Sequence, residues 1–174
     1  MAKTIYLNPL SATSVAAAIA DVKAYRSEVK TKTVTFRQKL ASKLEKYVRS
    51  GFSGEISDEY WNDWGTVTEQ GTVTVTTTHT GNTSVVLAAG EDAVWIEFGT
   101  GVKYNSGATH PDAAVTGMTI GSYGQGNGKK TTWGFYDQTK ELWFSHGVRM
   151  SKPMANAMDR ILSDINSVAR EVFG

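Results

Sequence analysis

The chain has 174 residues, no cysteine and a formal net charge of +1. Disulfides, zinc–thiolate sites and a cysteine nucleophile are thereby excluded, and no global charge draws the chain to nucleic acid, anionic lipid or acidic substrates. The length suits one domain with a substantial core, no apolar run approaches the ~20 residues that cross a bilayer, and the start of the chain lacks the apolar segment of a secretory signal; a soluble product of the cytoplasm is expected.

Residues 11–50 read as one long helix. Pro9 precedes it, Ser11 or Thr13 can cap it, and Gly51 follows its end. Val15, Ile19, Val22, Val29, Phe36, Leu40, Leu44 and Tyr47 share one stripe at helical spacing, interrupted by Arg26 and Thr33. Such a helix would be roughly 60 Å long, more than one domain of this size covers. Either it breaks near Thr31–Lys32–Thr33, or another chain buries part of the stripe.

Residues 51–65 form a turn-rich link that carries Tyr60, Trp61 and Trp64. Next, residues 66–69 and 72–78 read as a hairpin turning at Gly71, and after Gly81–Asn82 a third strand over 83–89 completes a meander. Glu91 and Asp92 then open a short helix over 91–99, with Val94, Trp95 and Phe98 on one face and Gly99 as its left-handed stop. Residues 102–130 are glycine-rich and nearly without periodicity, the pattern of a binding loop or of disorder, with Lys129 and Lys130 as a positive tip. Two strands follow over 131–136 and 141–145 around Asp137–Gln138, their aromatics supplying sheet packing. A closing helix over 151–173 has Ser151 as cap, Pro153 in its first turn and a stripe from Met154 through Val172 to lie on the sheet. The whole is expected as one α+β domain over residues 1–174.

No pattern of catalytic chemistry stands out. His79, His110 and His146 lack metal-site spacing, and His110, before Pro111–Asp112, reads as a solvated loop residue. Gly121, Gly124, Gly126 and Gly128 before Lys129–Lys130 fail the phosphate-loop spacing and precede a strand, not a helix. Asp58–Glu59 and Glu91–Asp92 read as a turn and a helix start. No cofactor and no enzyme activity are expected. Exposed aromatics, a half-covered helix and a glycine-rich loop suit a protein whose work is contact with other proteins.

Two segments carry a resemblance. Residues 93–101 are an apolar run ending in Glu97–Phe98–Gly99–Thr100–Gly101, and later Gly147 is followed by Pro153–Met154 opening the last helix. In order and spacing this resembles the siphophage neck or tail-completion family, the gene-product-ten-like proteins of a Hong Kong lambdoid phage, also labelled head–tail joining or minor capsid. The resemblance implies a virion protein made in the host cytoplasm and assembled as a homo-oligomeric ring of six or twelve copies in the head–tail neck. A portal-side connector or head-closure protein would lie on one side of that ring and a tail tube or tail terminator protein on the other. DNA would pass through its channel without specific recognition. Alternatives are a tail terminator or minor capsid protein, and a nucleic-acid-binding module with salt-dependent affinity. The glycine-rich stretch is longer than the family pattern. In physical terms Gly99 and Gly101 would turn the chain, Thr100 bond the backbone there, and Phe98 anchor the turn in the core. Glu97 would accept from those turn amides, pair with a neighbour's arginine, or lie on the surface. Val15, Ile19, Val22, Val29 and Phe36, with Lys129 and Lys130, are the candidate contact residues.

Overall fold

The computed structural model describes residues 4–120 and 127–174; Gly121, Gly124 and Gly126 of the loop considered above lie outside them. The architecture is α+β: a long N-terminal helix, antiparallel sheets, a short central helix and a C-terminal helix.

Helix α1 (Ala12–Phe52) runs unbroken for 41 residues. Ser11 starts it in an extended conformation, its hydroxyl oxygen accepting from the Ser14 N–H, as the capping pattern predicts. No break occurs at Thr31–Thr33. The Thr33 and Thr35 hydroxyls donate to the carbonyls of Val29 and Thr31 at 2.8 and 3.1 Å, which keeps them inside the helix. Gly51, expected to end the helix, lies in its last turn; a Cβ there would sit 2.8 Å from the Pro153 Cβ. Its missing side chain serves the close approach of α5 (Pro153–Phe173).

Residues 51–65 hold strand β1 (Ile56–Asn62) where a turn-rich link is expected. β1 pairs antiparallel with β2 (Gly65–Gln70), and at their turn Asn62 Oδ1 accepts from the Trp64 and Gly65 amides. The expected hairpin about Gly71 therefore does not form. β3 (Thr74–Thr80) pairs instead with β4 (Thr83–Ala89) as a separate two-stranded sheet, and Gly71 lies where a Cβ would meet Ile96 Cδ1 at 2.3 Å. β2 is exposed along its whole length, so no buried face in its Thr/Val pattern specifies a partner. β5 (Trp133–Tyr136) and β6 (Leu142–Ser145) form the later hairpin, and β6 also pairs with β1, giving the order β2-β1-β6-β5. Tyr60, placed in β1, meets Phe135 and Trp143 edge-on at 5.6 and 5.1 Å between centroids, while Trp64 at the turn is exposed.

The core lies where the two-stranded β3–β4 sheet, α1, α5 and helix α2 (Glu91–Phe98) converge: Val48 and Phe52 of α1, Val75 of β3, Ala157 of α5, and Ala93 and Ile96 of α2. Beside it α5 lies along the C-terminal half of α1. Lys43 Nζ and the Tyr47 hydroxyl both donate to Asp164, and Arg160 stacks 4.0 Å over the Tyr47 ring. Those donors hold the Asp164 carboxyl below its ordinary range, the tyrosine hydroxyl most of all. Of the α5 stripe, Ala157, Ile161 and Val168 are buried, Met154 is half-buried on the core, and Met158 is exposed. Among the described residues no helix is long and apolar enough to cross a membrane.

Candidate functional site

Helix α2 begins at Gly90 with two acids in its first turn, and Asp92 reaches back to accept the Thr72 amide at 2.8 Å. The face it buries is Ala93, Ile96 and Glu97, not the Val94–Trp95–Phe98 face expected. Glu97 is only 5 % exposed. An isolated carboxylate is costly there unless donors surround it, and three do. Oε2 accepts from the Met154 amide at 2.7 Å; Oε1 accepts from the Ala155 amide at 3.1 Å and faces His110 Nε2 at 2.7 Å. Pro153 has no amide hydrogen, so these are the first available donors of α5, and an anion at that end also meets the positive pole of the helix. Glu97 thus caps α5 from another element. None of the three roles expected of it is the observed one.

Ser151, the expected cap, instead donates its hydroxyl to Glu55 at 2.5 Å. Lys152 starts the helix in the left-handed region (φ 57°) with no side-chain cap of its own. His110, expected in solvent, is buried. Its Nδ1 accepts the Asp112 amide at 3.1 Å, which leaves Nε2 to carry the hydrogen and donate to Glu97. Phe98 is half-buried and lies against the His110 ring, 4.3 Å between centroids, so it anchors the following segment more than the core.

Beyond α2 the chain makes two glycine turns. Gly99 closes the helix through its amide to the Trp95 carbonyl, but at φ 69°, ψ 156°, an extended mirror-image conformation and not the left-handed helical one. Gly101 has φ 75°, and a Cβ on it would fall 1.9 Å from the His146 carbonyl oxygen; one on Gly147 would fall 2.3 Å from the Thr100 carbonyl oxygen. Two backbones cross here with no room for side chains. Thr100 fastens the crossing: its amide donates to the Val148 carbonyl and its hydroxyl oxygen accepts the Val148 amide, both at 2.9 Å. It bonds the distant segment that follows β6, not its own turn.

The described residues of the glycine-rich stretch gather around this crossing. They form single helical turns α3 (Val102–Asn105) and α4 (Ala113–Thr116), and a 3-10 turn at Asn127–Lys129. Asn105 is buried; its Nδ2 lies 2.8–2.9 Å from the carbonyls of Thr100, Gly101 and Val148, and its Oδ1 accepts the Met150 amide at 2.8 Å. Gly101 and Val102 donate to the carbonyls of Gly128 and Lys130, while the Lys129 and Lys130 side chains are exposed. The two motif segments therefore meet in one buried hydrogen-bonded clasp. Sequence reasoning missed Asn105 and His110 as its members, and no spacing signals them. For Glu97 a signal existed: it is four residues from Ala93, on the small-residue face of α2.

The candidate contact residues of α1 lie elsewhere. From Ile19 to Thr31 every residue of the helix is exposed. Ile19 and Val22 are 51 % and 52 % exposed and Val29 38 %. Val15 is half-buried, and Phe36 packs edge-on against Phe173 at the end of α5. Among the described residues no group of three or more His, Asp or Glu side chains is arranged to hold a metal ion.

No family model, curated protein or solved structure matches the chain. The geometry comprises a buried clasp that joins α2 to the start of α5, and a long helix whose N-terminal half carries an exposed apolar stripe.

Proposed function

We propose that the chain is an assembly protein of a tailed-phage virion, forming a ring of six or twelve copies in the head–tail neck around the DNA channel. The observation that carries the reading is the uncovered half of α1. A helix exposed all round over residues 19–31, yet bearing Ile19, Val22 and Val29 on one stripe, leaves apolar area in water that association between copies removes. Repeated contact between unlike surfaces of identical chains closes into a ring when the rotation divides the circle. The neck location rests on the resemblance carried by Glu97–Gly101, Gly147 and Pro153–Met154. In this reading the clasp holds the angle between α2 and α5, and with it the body from which α1 projects.

Sedimentation velocity of the full chain tests self-association. A single closed oligomer is expected, reduced to monomer by Ile19→Asp with Val22→Asp while the circular dichroism of the fold persists. A wild-type chain that stays monomeric at all concentrations overturns the ring. Gold-labelled antibody on intact virions tests the location; labelling away from the head–tail junction overturns it.

A further inference from the structure

A second uncovered apolar surface lies on the body. Between the C-terminal half of α1, the inner side of β4 and α5 runs a groove of about 250 Å³. Leu40 and Leu44 form part of its floor, Val86 one wall, and Met158, Ile161 and Leu162 the other. Met158 and Leu162 are 45 % and 58 % exposed, so the wall is unfinished toward solvent. At one end, Arg37 donates through Nη1 to the Gly81 carbonyl, but its buried Nε has no hydrogen-bond partner among the described residues.

The bare half of α1 cannot fill this groove in its own chain. Leu40 and Leu44 continue the stripe of Ile19 and Val22 along the same unbroken helix, so the rod leaves the groove end-on and does not fold back. We infer that the groove receives the projecting half of α1 from a second copy, with Val15, Ile19 and Val22 inserted against Val86, Met158 and Leu162. The inference rests on the self-association proposed above and names the two surfaces that join.

Three features favour this occupant. A straight helix presenting apolar side chains at spacings of three and four is the shape that lies in an apolar groove between elements. The charges complement. Lys23 and Lys30 flank the stripe on one side and Arg26 interrupts it, and none of the three stands in an ion pair among the described residues; Asp159, also in none, lies on the exposed rim one turn before Leu162. The contact is also heterologous, rod into groove, so an open assembly keeps a free rod at one end and a free groove at the other until a ring closes, whereas a symmetric rod-to-rod pairing would stop at two.

The absence of native cysteine makes the test clean. Copies carrying only Ile19→Cys are mixed with copies carrying only Leu162→Cys, allowed to exchange, and oxidised; Ala20→Cys, exposed and off the stripe, replaces Ile19→Cys as control. A mixed disulfide at a yield at least tenfold above the control is expected, and Leu162→Asp should dissociate the oligomer as Ile19→Asp with Val22→Asp does. An oligomer in which Ile19→Cys copies link to one another, or in which no mixed disulfide forms and Leu162→Asp leaves assembly intact, overturns the groove while leaving the ring standing. A monomeric wild-type chain removes both.

Discussion

Glu97→Gln removes one formal charge and almost no volume from the clasp, and so isolates what the carboxylate does. The carboxylate accepts from Met154, Ala155 and His110 at 2.7, 3.1 and 2.7 Å. A glutamine offers one oxygen for these three donors and puts an NH2 group where the other oxygen was. At best the amide oxygen keeps Ala155 and His110, and the NH2 then faces the Met154 amide, donor against donor. Hydrogen bonds to a charged group contribute ~1.5–3 kcal/mol, and a buried donor left without a partner costs ~1–3 kcal/mol. A loss of about 2–4 kcal/mol follows, which for a chain of this size lowers Tm by roughly 5–12 °C. Urea denaturation at fixed protein concentration measures it as a fall in midpoint with unchanged slope. The control is Glu91→Gln, an exposed acid in the first turn of the same helix, where loss of the dipole interaction costs only ~0.3–1 kcal/mol. If Glu97→Gln is no more destabilising than Glu91→Gln, the capping account is wrong.

The glycine crossing separates conformational strain from collision. Gly54→Ala and Gly101→Ala both place alanine at positive φ, 78° and 75°, but the first meets nothing within 4 Å and the second meets a carbonyl oxygen at 1.9 Å. Gly54→Ala should cost ~1–2 kcal/mol, while Gly101→Ala should lose at least twice that or fail to fold; equal losses in thermal melts would deny the crossing its tight fit. Asp58 gives a pH prediction. Burial pushes its carboxyl above the ordinary range, against the pull of the donors Ser145 and Glu59. Because its folded pKa is raised, the stability it contributes is complete below its unfolded value and is lost as pH rises through the folded one. Asp58→Asn, which keeps an acceptor oxygen and cannot ionise, should therefore gain on the wild type between about pH 4 and pH 7. Urea midpoints at the two pH values check this, and an advantage that shrinks with rising pH would reverse the assignment.

Helices were the legible part of this sequence. α1 declared itself through its stripe and Ser11, α2 through its leading acids and Gly99, and α5 through the apolar run from Met154. Where local patterns served two outcomes, the tertiary partner decided. β1 reads as a turn because Ser57, Asp58 and Glu59 are polar, yet Ser57 is buried and Asp58 receives a hydroxyl from β6. Gly51 and Gly71 read as chain breaks, but each is small because Pro153 or Ile96 presses on it. Glu97 leaves three roles open in the sequence: its place four residues after Ala93 puts it on the face that α2 buries, but nothing local announces three donors more than a dozen residues away. The clasp residues Asn105 and His110 are single polar side chains in an aperiodic stretch, and only the folded backbone shows which carbonyls and carboxylate they serve.

The clasp also sets an order of events in synthesis. Glu97 cannot find its helix amides until residue 155 has left the ribosome, and Thr100 must wait for Val148. Some fifty residues are threaded between these partners, and the entropy of closing that span opposes early docking. A nascent chain stalled short of residue 146 should therefore carry its first helix and the β3–β4 hairpin while α2 stays unlatched. The projecting rod, which draws on nothing from the clasp, would already be exposed to sister chains emerging from the same message.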